Sequence, residues 1–219
     1  MCLYRIMKKL LIITFFILNI SLYANNWNDA LYEASENGDL NKVKLAIEKG
    51  AKVDYQSMDK GGTTPLMIAS EKGYIDIIKF LLGKKAKVNL KDNEEYHSLM
   101  YAVRGGNLEV VKLLVQNKAN VNAAGLDGWT PILDAANLGY PEIVKFLLKS
   151  GAYLNEANTY EETPLILAAK NAHTAVVKLL LKQGADATLA DAEGKTALQH
   201  ADAAGHKEIV EILKKNLSK

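Results

Sequence analysis

Apolar positions along this chain fall into two alternating kinds of stretch. Ile143, Val144, Phe146, Leu147 and Leu148 stand at i, i+1, i+3, i+4 and i+5, the spacing of one buried helix face. Just before them, Ile132, Leu133, Ala135 and Ala136 form a shorter apolar stretch, whose alanines let a neighbouring helix approach closely. Thr130 is a capping residue and Pro131 suits the first helical position, where its missing N–H is not needed. Gly139 reads as a stop, because a tight turn requires left-handed backbone there. Pro141-Glu142 opens the second stretch, Gly151-Ala152 closes it, and Leu154-Asn155 leads into a polar loop. The pattern predicts a short helix, a turn, a longer helix and a loop.

The unit repeats. Thr64-Pro65-Leu66 returns as His97-Ser98-Leu99, Thr130-Pro131-Ile132, Thr163-Pro164-Leu165 and Thr196-Ala197-Leu198, each 33 residues after the last. A degenerate first copy, Asp29-Ala30-Leu31, lies 35 residues before Leu66. A fixed period of this length signals a solenoid in which each unit buries its apolar face only against its neighbours. End units then need a polar outer face. Lys42 stands where Ile143 stands in an inner copy, and Lys214 where Leu148 and Leu181 stand, so these copies are expected to be the end units of the array.

These residues resemble the ankyrin repeat. The resemblance rests on Thr-Pro-Leu, Ala168-Ala169, Val176-Val177, Leu179-Leu180-Leu181 and Gly184-Ala185-Asp186, with their counterparts in the other copies. It implies an all-α fold: an ankyrin-repeat solenoid of about six stacked helix–turn–helix units with projecting β-hairpin-like loops. The expected repeats are about 28–58, 59–91, 92–124, 125–157, 158–190 and 191–219, within an ankyrin-repeat domain spanning 25–219. The resemblance also implies that loops and first helices form a concave binding face.

Some copies depart from the pattern. Lys85 and Lys118 replace the glycine that ends the second helix, and Ala172 replaces the glycine between helices. A non-glycine residue in left-handed backbone costs roughly 1–2 kcal/mol, so a different cap at Lys85 and Lys118 is one expectation. The first loop carries two extra residues near Ser57-Met58, followed by Gly61-Gly62, and is expected to be longer and more mobile.

Residues 1–24 differ in character. Arg5, Lys8 and Lys9 precede an apolar run from Leu10 to Leu22, and Tyr23-Ala24 closes the stretch. Together these features make a secretory signal peptide, 1–24, with Met7 as an alternative start. The run is short for a membrane span, which needs about 20 apolar residues; an uncleaved anchor is the alternative. The expected location is therefore periplasmic or secreted. Cleavage takes three positive charges from a net of +2, leaving −1. It also removes Cys2, the only cysteine, so no disulfide is available to the mature chain. A balanced charge without a concentrated basic face argues against a nucleic-acid partner.

Candidate chemistry follows from the resemblance. It places at the loop tips Lys60 and Thr63; Asn93, Glu94 and Tyr96; Leu126, Asp127 and Trp129; Thr159, Tyr160 and Glu162; and Ala192, Glu193 and Lys195. Trp129 between Tyr96 and Tyr160 gives an aromatic strip with acidic neighbours, and such residues are favoured anchors. The competing reading is that each ring packs on an adjacent loop and steadies the stack. Arg104, Asn137, Leu138, Lys170 and Asn171, at the first-helix ends, extend the candidate face or are simply solvated. The expected partner-binding set is Trp129, Asp127, Leu126, Tyr96, Glu94, Tyr160, Glu162, Arg104 and Leu138.

His173 and His206 stand one repeat apart, about 10 Å by helix packing. That spacing rules out a shared ion with zinc–nitrogen bonds near 2 Å. Local hydrogen bonds at the turn are expected for both instead, with no metal and no cofactor. No nucleophile, base and orienting group converge, so an enzyme is not expected. The chain is expected to be a monomeric exported scaffold binding another protein. The alternative is an accessory protein that handles a small ligand or cofactor, such as haem, in support of an enzyme.

Overall fold

The computed structural model describes residues 27–218. The expected signal peptide, with Cys2 and Met7, lies outside the described residues. Twelve α-helices among the described residues pair into six units: α1 (27–36) with α2 (Leu40–Glu48), α3 (Pro65–Lys72) with α4 (Ile75–Gly83), α5 (Ser98–Arg104) with α6 (Leu108–Gln116), α7 (Pro131–Asn137) with α8 (Pro141–Lys149), α9 (Pro164–Lys170) with α10 (Thr174–Lys182), and α11 (Ala197–Ala203) with α12 (Lys207–Leu217). Extended pairing among these residues is confined to two isolated bridges, Ser57 with Thr63 and Ala190 with Thr196. This is the all-helical solenoid that the period predicts.

One apolar core runs the length of the stack, from Leu31 to Leu213. Leu66, Leu99, Ile132 and Leu165 are fully buried at equivalent positions, and each such side chain contributes about 1.5–3 kcal/mol. Neighbouring first helices (α3, α5, α7, α9, α11) pack more closely than neighbouring second helices, which sets the first helices on the inner side of the array. Their alanines make this possible: Ala69, Ala102, Ala135, Ala168 and Ala201 are all buried without remainder. The closest approach of one backbone to another at a glycine is at Gly105, where an added Cβ would overlap the carbonyl oxygen of Glu71. At the two ends, Lys42 and Lys214 are exposed.

The non-glycine turn residues keep the geometry of the glycines they replace. Lys85, Lys118 and Ala172 have φ of 65°, 70° and 61°, so the helix ends are not capped differently. The repeat imposes left-handed backbone there because the next copy must start in register. Thr64, Thr163 and Thr196 cap their helices by accepting from the N–H three residues on. Thr130 does not: its buried hydroxyl has no partner, and Pro131 alone suits the entry of α7. The extra residues of the first loop are taken up in a 3-10 turn, Met58–Lys60, inside the Ser57–Thr63 bridge.

Polar side chains stitch the copies together. Asp54, Asn89, Asn122 and Asn155 each accept, through Oδ1, the backbone N–H of Lys87, Asn120, Tyr153 and Asp186 one copy on, at 2.9–3.1 Å. Asn89 and Asn122 also donate from Nδ2 to the carbonyls of Lys118 and Gly151. The histidine bonds expected within a turn run between copies instead. His173 Nε2 donates to the Asn137 carbonyl (2.8 Å) and His206 Nε2 to that of Lys170 (3.2 Å). The His173 ring takes the space above Gly139 in the preceding copy, which brings its Nε2 within reach of the free carbonyls at the end of α7.

Candidate functional site

The loop tips form a backbone-linked row. Asn93 N–H donates to the Gly61 carbonyl, Leu126 to Glu94, Thr159 to Asp127 and Ala192 to Tyr160, all at 2.9–3.1 Å. Each tip therefore donates one backbone hydrogen bond to the tip before it, and the Thr159 hydroxyl adds a second to the Asp127 carbonyl. Within a loop, an Asx carboxylate or amide folds the tip. Asp92 Oδ1 accepts from the N–H groups of Glu94 and Tyr96, Asn158 from Tyr160 and Glu162, and Asp191 from Glu193 and Lys195. In the fourth copy Gly125 stands at that place, and Asp127 Oδ1 accepts from Trp129 N–H instead.

The expected anchors separate into two groups. Leu126 and Tyr160 are 67% and 62% exposed at neighbouring tips. Trp129 is half-buried and stands outside the continuous core, unlike Trp27, which packs on it. Glu94 is exposed, and Leu138 is exposed at the end of α7. Tyr96 takes the structural alternative: it is only 6% exposed. Its ring lies across Gly125, which has no Cβ to obstruct it, and its hydroxyl donates to Asp127 Oδ2 at 2.6 Å. The Arg104 guanidinium covers the ring at 4.1 Å from its centroid, a cation–π contact. Arg104 Nε in turn donates to Asp134 Oδ2 at 3.1 Å. Glu162 is half-buried and pairs with Lys170 at 2.9 Å.

The third and fourth copies thus share a compact polar cluster. Tyr101 hydroxyl donates to Asp92 Oδ2 at 2.6 Å, completing it on the side of α5. Burial, reinforced by the hydrogen bond to Asp127, pushes the Tyr96 phenol up to about 12. Burial, with the Asp92 carboxylate beside it, raises that of Tyr101. Burial pushes the Asp134 carboxyl up to about 6, and the nearby Arg104 cation limits the rise. His97 is buried with neither ring nitrogen hydrogen-bonded, and burial lowers its pKa. Tyr96, Tyr101 and Arg104 thus tie the tips at Asp92 and Asp127 to the first helices α5 and α7 beneath them.

Asp134 and Tyr101 are absent from the expected set. A signal for Asp134 is present in the sequence: it stands where Ile68 and Leu167 stand in other copies, and a carboxylate at an apolar position needs a partner. Among the described residues no three His, Cys, Asp or Glu side chains are grouped to hold a metal ion, and no helix is long and apolar enough to cross a membrane.

Known proteins share this repeat. The family model described as ankyrin repeats (3 copies) matches residues 4–92, 84–158 and 153–219. Over 53 residues the chain is 45% identical to protein phosphatase 1 regulatory subunit 27 of Homo sapiens, and equally to that of Mus musculus. These matches cover 24% of this chain and 33% of each subunit. Over 62 residues it is 37% identical to transient receptor potential cation channel subfamily A member 1 of Drosophila melanogaster, covering 28% of this chain and 5% of the channel. The matched stretches span a third or less of these curated relatives.

Proposed function

The chain belongs to the ankyrin-repeat family, and we propose that it is an exported scaffold that binds another protein through its loop tips and first helices. Ankyrin repeats generally mediate protein–protein interaction, and one relative is by name a phosphatase regulatory subunit. The observation that carries the reading is the pair Leu126 and Tyr160. Two large side chains stand exposed on adjacent tips that backbone hydrogen bonds hold in place, with Trp129 half-exposed beside them. Aromatic side chains presented on a rigid surface bind with a low ordering cost. The scaffold acts by surface complementarity and carries out no chemistry of its own. Export rests on the basic, apolar and small-residue order of residues 1–24. The mature chain then works as a monomer in the periplasm or outside the cell.

Photo-crosslinking in the native cell tests this. One photoreactive residue replaces Trp129, and a control replaces Lys145 on the exterior of α8. A discrete protein captured by the first probe alone is the expected result. Equal capture by both, or none by either in protein confirmed as exported, refutes the reading.

A further inference from the structure

A cavity of about 310 Å³ opens between the fifth and sixth copies, lined by Tyr160, Glu162, Lys170, Asp191, Glu193 and His200. The repeat itself supplies a template for what it holds, because the same chain has already filled the corresponding place two copies earlier. There Tyr96, Arg104, Gly125, Asp127 and Asp134 occupy the positions of Glu162, Lys170, Asp191, Glu193 and His200. The Tyr96 ring lies beneath the Arg104 cation, and its hydroxyl donates to Asp127. Between the fifth and sixth copies the cation and the carboxylate persist as Lys170 and Glu193, but the ring is gone. Glu162, in its place, turns its carboxylate to Lys170 at 2.9 Å and to Asn158 Nδ2 at 2.9 Å.

Two further features define the occupant. Asp191 has a Cβ where Gly125 has none, so a ring seated here lies further out, against Tyr160. That residue replaces Glu94 and is the most exposed aromatic side chain of the described residues. Every carboxylate of the cavity is also already engaged: Glu162 pairs with Lys170, Glu193 pairs with Lys195 at 2.8 Å, and Asp191 is hydrogen-bonded to His200 at 2.6 Å. A charged ligand would compete with these contacts, whereas a neutral aromatic ring carrying one donor leaves them in place.

We propose that this cavity receives a tyrosine side chain of the bound protein, its ring lying against Tyr160 and beside the Lys170 ammonium and its hydroxyl donating to Glu193. The proposal rests on the protein-binding reading above and names the group that the partner inserts. The Tyr96–Asp127 geometry is the internal precedent for the contact.

N-acetyl-tyrosinamide, titrated into the protein and followed by amide NMR, is the probe. Expected are saturable shifts at the Tyr160, Ala192, Glu193 and Lys195 amides, with a Kd on the order of 1 mM for so small a ligand. N-acetyl-phenylalaninamide is expected to bind severalfold more weakly, and N-acetyl-lysinamide not at all. Glu162→Tyr places the chain's own ring in the cavity and is expected to abolish the shifts. Glu193→Ala, a change at an exposed tip, is expected to reduce tyrosinamide to the level of the phenylalanine analogue. Absence of saturation, or stronger binding of the lysine analogue, overturns the proposal. Capture of a protein at position 129 without tyrosinamide shifts overturns this proposal alone. Shifts without capture overturn the protein-binding reading and, with it, a protein as the source of the ring.

Discussion

Replacing Asp134 by Asn removes a buried negative charge with almost no change of shape. Asp134 is 5% exposed, and its carboxyl stands at about 6 in the fold. In the unfolded chain the same group has a pKa of about 3.9. The folded state therefore holds the proton more tightly, and stability declines as pH rises from about 4 to about 6. Above that window the loss is complete. Two units at roughly 1.4 kcal/mol each make it about 3 kcal/mol, a sizeable part of the 5–15 kcal/mol of a typical domain. The Asn amide is neutral at every pH, and its oxygen can still accept from Arg104. Urea unfolding of both proteins from pH 4 to pH 8 tests the argument. The stabilities should nearly coincide at pH 4 and part by about 3 kcal/mol at pH 7, with Asp134→Asn the more stable. His97 acts in the opposite sense, since its lowered pKa removes stability as pH falls through about 6.5. It is present in both proteins and cancels from their difference. Parallel profiles, or a parent that gains on the variant as pH rises, would refute the reasoning and mean that Arg104 holds Asp134 ionised at little cost.

Gly105→Ala drives a Cβ into the Glu71 carbonyl and should cost about 1–3 kcal/mol in chemical denaturation, since backbone has to move. Lys118→Gly should raise stability by up to about 1 kcal/mol, because it relieves the left-handed strain at an exposed position; a loss would show that the strain is absent. Asn122→Ala removes two bonds between copies and should cost about 1–2 kcal/mol, with faster hydrogen exchange at the Tyr153 amide as the local readout. Trp129→Ala should weaken the captured partner's binding with little change in Tm; a large fall in Tm with unchanged affinity would assign the ring to the scaffold instead.

The period of Leu66, Leu99, Ile132, Leu165 and Leu198 places every helix pair, because a solenoid repeats its packing as well as its sequence. The same period puts Leu126, Trp129 and Tyr160 in the tip row. It says less about depth. Tyr96 and Trp129 occupy one position of the repeat, yet Tyr96 sinks into the stack because Gly125, in the next copy, leaves it room. Depth at a tip depends on a pair of copies, and a profile of single copies averages that pairing away. For the same reason the His173 bond reads as local in sequence and proves to cross to Asn137. Asp134 was legible as an anomaly, a carboxylate at an apolar position, but its partner Arg104 belongs to the copy before. The cavity between the fifth and sixth copies lies where Glu162 replaces the large ring that Tyr96 supplies in the third copy, again a property of paired copies.

The central claim is that this chain binds protein through one face of a rigid stack. Hydrogen exchange, compared between the free chain and its complex with the protein captured at position 129, tests that claim most directly. The account predicts slowed exchange in the tips around 93–96, 126–129 and 159–162 and in helices α5, α7 and α9, with α6, α8 and α10 unchanged. Slowing confined to α6, α8 and α10 would place the partner on the opposite face and contradict it.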